Sequence, residues 1–185
     1  YTLWHTLSLH DALPIWGQVN PRVMHKGPVS FPVPRHDLFA SEPYRHPFLG
    51  RRRLGTLLMA YGCPYRCAYC NSGAHSLGFA TRDIDRVMDE CRAMKAAGIT
   101  RVYMKDWTFG GHRKFTEHVL QAWIDQGMDW NWAAWIRPDG VDEGFLELMR
   151  QAGCVGIQVG LEAKSIASLE FANRQQDEEK TERVL

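Results

Sequence analysis

Three cysteines lie close together in the stretch CPYRCAYC, which covers residues 63–70. Cys63, Cys67 and Cys70 are separated by four and three positions. Structural zinc sites and ordinary iron–sulfur sites take four protein ligands. A loop that supplies only three thiolates leaves one position of a metal centre open, and an open position allows the centre to bind a reactant. The spacing therefore indicates a metal site that does chemistry.

Two other sites are compatible with the same residues. His75 follows Cys70 by five positions and would complete a Cys3His structural zinc site. Cys67 and Cys70 alone form a C-x2-C pair, which is typical of redox dithiols, although the first cysteine would then have no role. The sequence pattern by itself leaves both alternatives open.

Short apolar runs alternate with helical patterns after residue 53. The predicted strands are 57–62, 99–104, 130–136 and 154–160. The predicted helices follow them, with a cap at Thr81, apolar stripes over 115–124 and 145–149, and a short helix that begins at Ile166. Parallel strands need long crossover connections, so this alternation predicts a parallel sheet. We expect an α/β fold of four βα units, in either a barrel or an open doubly wound sheet.

Polar side chains follow each predicted strand at the point where it ends. The cysteine motif follows the first strand, and Asp106, Arg137 and Glu162 follow the second, third and fourth. Both architectures place their active site at the carboxyl ends of the strands, so we expect these groups at one rim. Packing within the fold accounts for the tryptophans around the second and third strands, although Trp107 near the rim is also compatible with contact to a planar substrate. Each charged residue alone is also compatible with an ion pair or a helix cap.

Composition divides the chain into three segments. Residues 1–15 contain SLHDALPI, which resembles a translated sequencing adapter, so we expect a non-native segment. Residues 16–53 hold six prolines and predict a linker or wrapping segment, since proline removes a backbone donor and disfavours helix before it. Residues 54–185 carry the strands and helices. Their last helical pattern is still open at Leu185, so we expect a core truncated at its C-terminus.

The composition also narrows the class of protein. A formal net charge of +1 gives no electrostatic reason to expect nucleic acid as a partner. No stretch approaches the roughly 20 apolar residues that a membrane span needs. Five cysteines, three of them clustered, are typical of a metal site in a reducing compartment rather than of a secreted disulfide framework. We therefore expect a cytoplasmic enzyme in which Cys91 and Cys154 pack in the core.

The motif CPYRCAYC resembles the signature of radical S-adenosylmethionine (SAM) enzymes, CxxxCxxC with an aromatic residue before the last cysteine. The resemblance extends from Leu54 to the end of the chain. The segments VYMKDWTF, WIRPDGV, MRQAGCVGIQVGLEAKS and RHDLFASEPY are similar to the cobalamin-associated branch, which includes anaerobic tetrapyrrole cyclase-like proteins. The resemblance implies a partial (β/α) TIM-like barrel, with four βα units of a truncated radical SAM core.

The resemblance also implies the cofactors and their ligands. Three thiolates would bind a 4Fe-4S cluster, with SAM on its fourth iron: Cys63, Cys67 and Cys70. Tyr69 would lie beside the adenine of SAM and Asp106 near its amino group. Arg137 would lie near its carboxylate and Glu162 near its ribose. Reductive cleavage of SAM would give a 5′-deoxyadenosyl radical for methyl transfer or oxidative cyclisation of an organic small molecule.

The same resemblance predicts partners beyond the chain. A low-potential electron donor of the flavodoxin or ferredoxin type would reduce the cluster. The chain contains no D-x-H-x-x-G cobalamin motif, so any cobalamin would be bound by an upstream domain. Two further functions remain open at this stage, namely a radical RNA-modifying methylthiotransferase and a binding module stabilised by Cys3His zinc.

Overall fold

The computed structural model describes residues 27–38, 44, 46–50, 53–71, 78–163, 166–174 and 178–184. The expectations for residues 1–15 lie outside the described residues. His75 also lies outside them, so the structure does not test a Cys3His zinc site.

Strands and helices alternate along most of the described chain. The elements are β1 (Leu54–Leu57), β2 (Ala60–Tyr61), β3 (Ala80–Thr81), α1 (Ile84–Ala96), β4 (Arg101–Met104), α2 (Arg113–Asp125), β5 (Asn131–Ile136), α3 (Glu143–Gln151), β6 (Cys154–Val159), α4 (Ile166–Phe171) and α5 (Glu178–Val184). Two single turns of 3-10 helix add His36–Leu38 and Pro138–Gly140. None of the described helices is long and apolar enough to cross a membrane.

The main sheet is parallel and has the strand order β1-β4-β5-β6. Its neighbouring strands follow one another in the chain, whereas the strand order of a doubly wound sheet reverses. Helices α1, α2 and α3 contribute to a single apolar core with one face of this sheet. One-directional order with helices on one face is the arrangement of a barrel, so the predicted partial TIM-like barrel is confirmed.

The core lies between the helices and the alternate strand residues that face them. Its largest fully buried side chains include Trp123 of α2 and Trp132 of β5, whose rings meet edge to face 5.9 Å apart. The Nε1 of Trp132 donates to the backbone oxygen of Ala152 at 2.8 Å. Cys91 is fully buried in this core, as predicted, and Cys154 packs against its edge while partly buried. These contacts fix the helices against one face of the sheet. On the other face His46 stacks on Tyr103, and Phe48 lies beside Gly156.

Two local predictions were wrong. The predicted strand 57–62 is two strands, because strand pairing is interrupted at Leu58 and Met59 and β2 then pairs with β3 in an antiparallel ribbon. The cap of α1 is Asp83 and not Thr81. The Oδ1 of Asp83 accepts from the amides of the second and third residues after it, at 3.0 and 3.2 Å. Thr81 is held in β3 by its pairing with Ala60, so it is not available as a cap.

Residues 27–38 of the proline-rich segment lie near the start and along the side of α1. Its Val29 forms a bridge with Arg82, and its His36 Nε2 lies 2.8 Å from the Glu90 carboxylate. Arg82 also donates to Glu90, at 2.6 Å, and to the backbone oxygen of Leu58, at 2.8 Å. This buried network ties residues 27–38 to the helix. The prediction that residues 16–53 form a linker or wrapping segment remains a prediction.

Candidate metal and cofactor site

The three motif cysteines lie in one loop at the rim of the sheet. This cysteine loop, residues 62–71, begins at Gly62, whose φ of 73° is accessible to glycine but rare for other residues. Cys63 and Cys67 are partly buried and Cys70 is exposed, and none of them is in a disulfide. Burial raises the pKa of the Cys63 thiol above its usual range. The loop therefore presents three uncrosslinked sulfur donors within a short distance along the chain.

The donor set is compatible with a multi-iron cluster. Among the described residues, no three His, Cys, Asp or Glu side chains converge as a single metal ion requires. Thiolates on one zinc ion lie roughly 4 Å from one another, given Zn–S distances of about 2.3 Å. A 4Fe-4S cluster places each thiolate on a different iron, so it does not require that convergence. The three cysteines of the loop are suitable for such a cluster.

Arg137 connects the carboxyl end of β5 to the cysteine loop. Its Nη1 donates to the Sγ of Cys67 at 3.2 Å, and its guanidinium lies over the Tyr65 ring, 3.7 Å from the centroid. Both oxygens of Asp139 accept from Arg137, at 2.9 and 2.5 Å, and this bidentate pair fixes the plane of the guanidinium. The structure thus places a cation against a cysteine sulfur. The predicted contact of Arg137 with the SAM carboxylate remains a prediction.

Asp106 follows β4 and is buried beneath the rim. Its Oδ1 accepts from the backbone amides of Met59 and Ala60, at 2.6 and 3.3 Å. Burial raises the pKa of Asp106 to about 7, although these two amides favour the charged form. Asp106 therefore fixes the turn between β1 and β2 that leads into the cysteine loop. Its predicted position at the SAM amino group remains a prediction.

Arg174 links Tyr69 and Glu162, two of the predicted SAM contacts. Its Nη1 lies 3.0 Å from the Tyr69 hydroxyl and 2.8 Å from the Glu162 Oε1. The Tyr69 hydroxyl is withdrawn from water, which raises the pKa of Tyr69 to about 12, so the Tyr69 side chain is neutral at pH 7. Sequence reasoning missed Arg174, because no motif or spacing distinguishes it. Only the tertiary contact does so.

A model of the family described as the Radical SAM superfamily matches residues 57–185. The chain belongs to the radical SAM superfamily. This membership confirms the predictions of an enzyme and of a 4Fe-4S cluster with SAM as its cofactors.

Curated relatives include several kinds of transferase and a cyclase. An uncharacterised methyltransferase of Pyrococcus horikoshii is 27% identical over 83% of this chain and 33% of its own length. The anaerobic magnesium-protoporphyrin IX monomethyl ester cyclase of Rubrivivax gelatinosus is 26% identical over 72% of this chain and 25% of its own length. A ribosomal protein uS12 methylthiotransferase of Cutibacterium acnes is 30% identical over 62% of this chain and 27% of its own length. The chain thus spans a third or less of the length of these relatives.

A solved structure shares the fold. It is the radical SAM methyltransferase TsrM from Kitasatospora setae with cobalamin and a [4Fe-4S] cluster bound. The match has a TM-score of 0.65 at 22% identity and covers 83% of this chain and 34% of TsrM. The chain therefore resembles a cobalamin-bound member of the family in fold and an anaerobic tetrapyrrole cyclase in sequence, which are the two resemblances that the sequence predicted.

Proposed function

We propose that the whole protein uses a 4Fe-4S cluster on Cys63, Cys67 and Cys70 to cleave SAM reductively, for methyl transfer to an organic small molecule or its oxidative cyclisation. The observation that carries the proposal is the position of the cysteine loop at the rim, where Arg137 from the end of β5 donates to the Cys67 sulfur. Family membership supports the same reading. The chemistry supplied by a bound cluster is one-electron reduction of SAM to methionine and a 5′-deoxyadenosyl radical.

The chain's own residues would bind and orient the reactants. Arg137 offsets negative charge at the sulfur of Cys67, since its guanidinium donates directly to that atom. The ring of Tyr69 is 55% exposed and can lie against a planar base, while its hydroxyl is held by Arg174. Glu162 accepts from Arg174 at its Oε1, and its carboxylate would also accept from a ribose hydroxyl of SAM. These roles require the residues to act on one SAM molecule.

Exposed indole rings at the rim and on the sheet face opposite the helices support an organic small molecule as the substrate. Tyr103, Trp135 and Gln158 lie on this face, opposite the helices, and the Tyr103 hydroxyl donates to the Gln158 Oε1 at 2.7 Å. Trp135 is 46% exposed, and Trp107 at the rim is 51% exposed. Exposed indole rings beside a reactive site are suited to a planar, largely apolar substrate. We further propose that a low-potential electron donor reduces the cluster and that the protein is cytoplasmic. Cobalamin would be bound by another part of the protein.

Anaerobic reconstitution tests this function. The full chain would be incubated with iron and sulfide, reduced, and examined by electron paramagnetic resonance (EPR) with and without SAM. We expect a cubane signal whose shape changes when SAM is added, because SAM binds an iron that has no protein ligand. Cys67→Ser should lose the signal, whereas Cys91→Ser, a control on a buried thiol outside the loop, should keep it. A folded chain that binds zinc and assembles no cluster would contradict the proposal.

A further inference from the structure

Three side chains of different chemistry lie in one row across the sheet, on the face opposite the helices. Trp135 of β5 and Gln158 of β6 are direct partners in the strand register, so their side chains lie next to each other on this face. Tyr103 of β4 pairs with Ala133 of β5 in the same way. Lys105 and Trp135 each follow these two residues by two positions, so they occupy corresponding positions on the same face. Lys105, Trp135 and Gln158 together form the 105–135–158 row.

Backbone hydrogen bonds hold this row in place at the rim. The amide of Lys105 donates to the oxygen of Leu57 at 2.7 Å, which continues the pairing of β1 with β4 by one residue beyond the end of β4. The oxygen of Trp135 accepts from the amide of Phe109 at 2.8 Å. The side chains of the row therefore project from rigid backbone, and their positions relative to one another are fixed.

Side chains beneath the row cover the lower part of the same face. The ring of His46 stacks on the ring of Tyr103, with the centroids 4.3 Å apart. A Cβ added to Gly156 would lie 3.3 Å from the Cβ of Phe48, so Phe48 lies against the neighbouring strand. Because this floor occupies the lower level, a ligand on this face would lie at the level of the row, near the rim that carries the cysteine loop.

The row presents an apolar ring between two polar groups. The Nζ of Lys105 lies 5.1 Å from the centroid of the Tyr103 ring, and no carboxylate among the described residues forms an ion pair with it. On the other side of the exposed Trp135 ring, the amide of Gln158 is fixed because its Oε1 accepts from the Tyr103 hydroxyl. The row thus places an exposed indole beside a cation that has no acidic partner in the described part of the chain.

The chemistry of the row favours one class of ligand. Indole rings pack well against planar rings, stacked or edge to face. An ammonium group that lacks an acidic partner attracts an anion and donates charge-assisted hydrogen bonds to a carboxylate. We propose that Lys105 and Trp135 determine substrate specificity, and that the substrate is a planar ring system that carries a carboxylate. This inference rests on the proposed function, since it takes the ligand to be the organic molecule that the radical attacks.

Binding of two matched probes to the full chain tests the proposal. The probes are 2-naphthoate and its uncharged analogue 2-naphthamide, which share one ring system, and calorimetric titration measures the dissociation constant of each. The parent chain should bind 2-naphthoate about 10-fold more tightly, as expected for a charge-assisted hydrogen bond. Lys105→Met should abolish this preference and leave the affinity for 2-naphthamide within about 2-fold of the parent's. Trp135→Leu should weaken the binding of both probes about 10-fold, because both contact the indole.

Control variants separate recognition by Lys105 from a general effect of charge. Lys114→Met makes the same change on an exposed lysine of α2, a helix that packs on the opposite face of the sheet. It should leave both affinities within about 2-fold of the parent's, because charges that far apart are screened in salt. Lys105→Arg keeps the positive charge and should keep most of the preference for 2-naphthoate. SAM added to the reconstituted parent chain should not displace 2-naphthoate, because substrate and cofactor would occupy different sites.

Separate outcomes overturn this inference and the proposed function. Equal affinity of the parent chain for both probes would overturn the inference alone, and so would an equal loss in Lys114→Met and Lys105→Met. Displacement of 2-naphthoate by SAM would also overturn it, because Lys105 would then belong to the cofactor's site. A parent chain that prefers 2-naphthoate but assembles no cluster on anaerobic reconstitution would overturn the proposed function, and with it the role of the ligand as substrate.

Discussion

Asp106→Asn tests whether burial controls the charge of the residue beneath the rim. Burial raises the pKa of this carboxyl from 3.8 to about 7, so its ionisation is disfavoured in the folded protein. A shift of about three units corresponds to about 4 kcal/mol of free energy between the two protonation states. The substitution removes the ionisation but keeps an oxygen that can accept from the amides of Met59 and Ala60.

The sign of the pH dependence follows from proton binding. Between about pH 4 and pH 7 the folded protein keeps the proton on Asp106, whereas the unfolded chain has lost it. The folded state then binds more protons, so its free energy of unfolding falls as the pH rises. For the parent chain this group removes about 2–3 kcal/mol of stability between pH 5 and pH 8. Asp106→Asn lacks this loss. Its free energy of unfolding, relative to that of the parent, should therefore rise by about 2–3 kcal/mol between pH 5 and pH 8.

Urea unfolding at pH 5, 6, 7 and 8 measures the effect without any cofactor. Every other ionisable group is shared by the two chains, so the difference in free energy of unfolding isolates Asp106. Asp129→Asn makes the same change on an exposed side chain and serves as the control. A difference between Asp106→Asn and the parent that stays constant with pH to within about 0.5 kcal/mol would refute the reasoning.

Three further perturbations follow from the same structure. Arg137→Gln removes a positive donor from a cysteine sulfur, so the reduction potential of the reconstituted cluster should fall by tens of millivolts. About 59 mV corresponds to a tenfold change in a one-electron equilibrium. EPR-monitored redox titration measures the reduction potential. Cys63→Ser should abolish the cubane signal and Cys154→Ser should not, which iron analysis and EPR would show. Glu90→Ala leaves Arg82 with an unpaired buried charge and should cost about 3–5 kcal/mol in urea unfolding, and a loss below about 1 kcal/mol would contradict that view.

Much of the fold could be predicted because its signals are local. Apolar runs and helical stripes lie at the positions where β4, β5, β6 and the helices occur. The misplaced cap of α1 and the unseen break between β1 and β2 have a different cause. The capping contact of Asp83 is local, but Thr81 is excluded as the cap by the pairing of β2 with β3. The break between β1 and β2 involves the acceptance of two backbone amides by Asp106. Neither the strand pairing nor the Asp106 contact can be read from a short window of sequence.

The sequence by itself predicted the metal ligands of this protein, and it predicted that they lie at one rim of the sheet. Ligand type and spacing within Cys63–Cys70 are properties of the chain, and strand alternation determines which ends meet. The tertiary structure alone decided what holds those ligands. Arg174 is separated by 105 residues from Tyr69, and Arg137 by 70 from Cys67, so only folding makes these contacts. Burial is likewise a tertiary property, and it alone brings the pKa of Asp106 near neutrality.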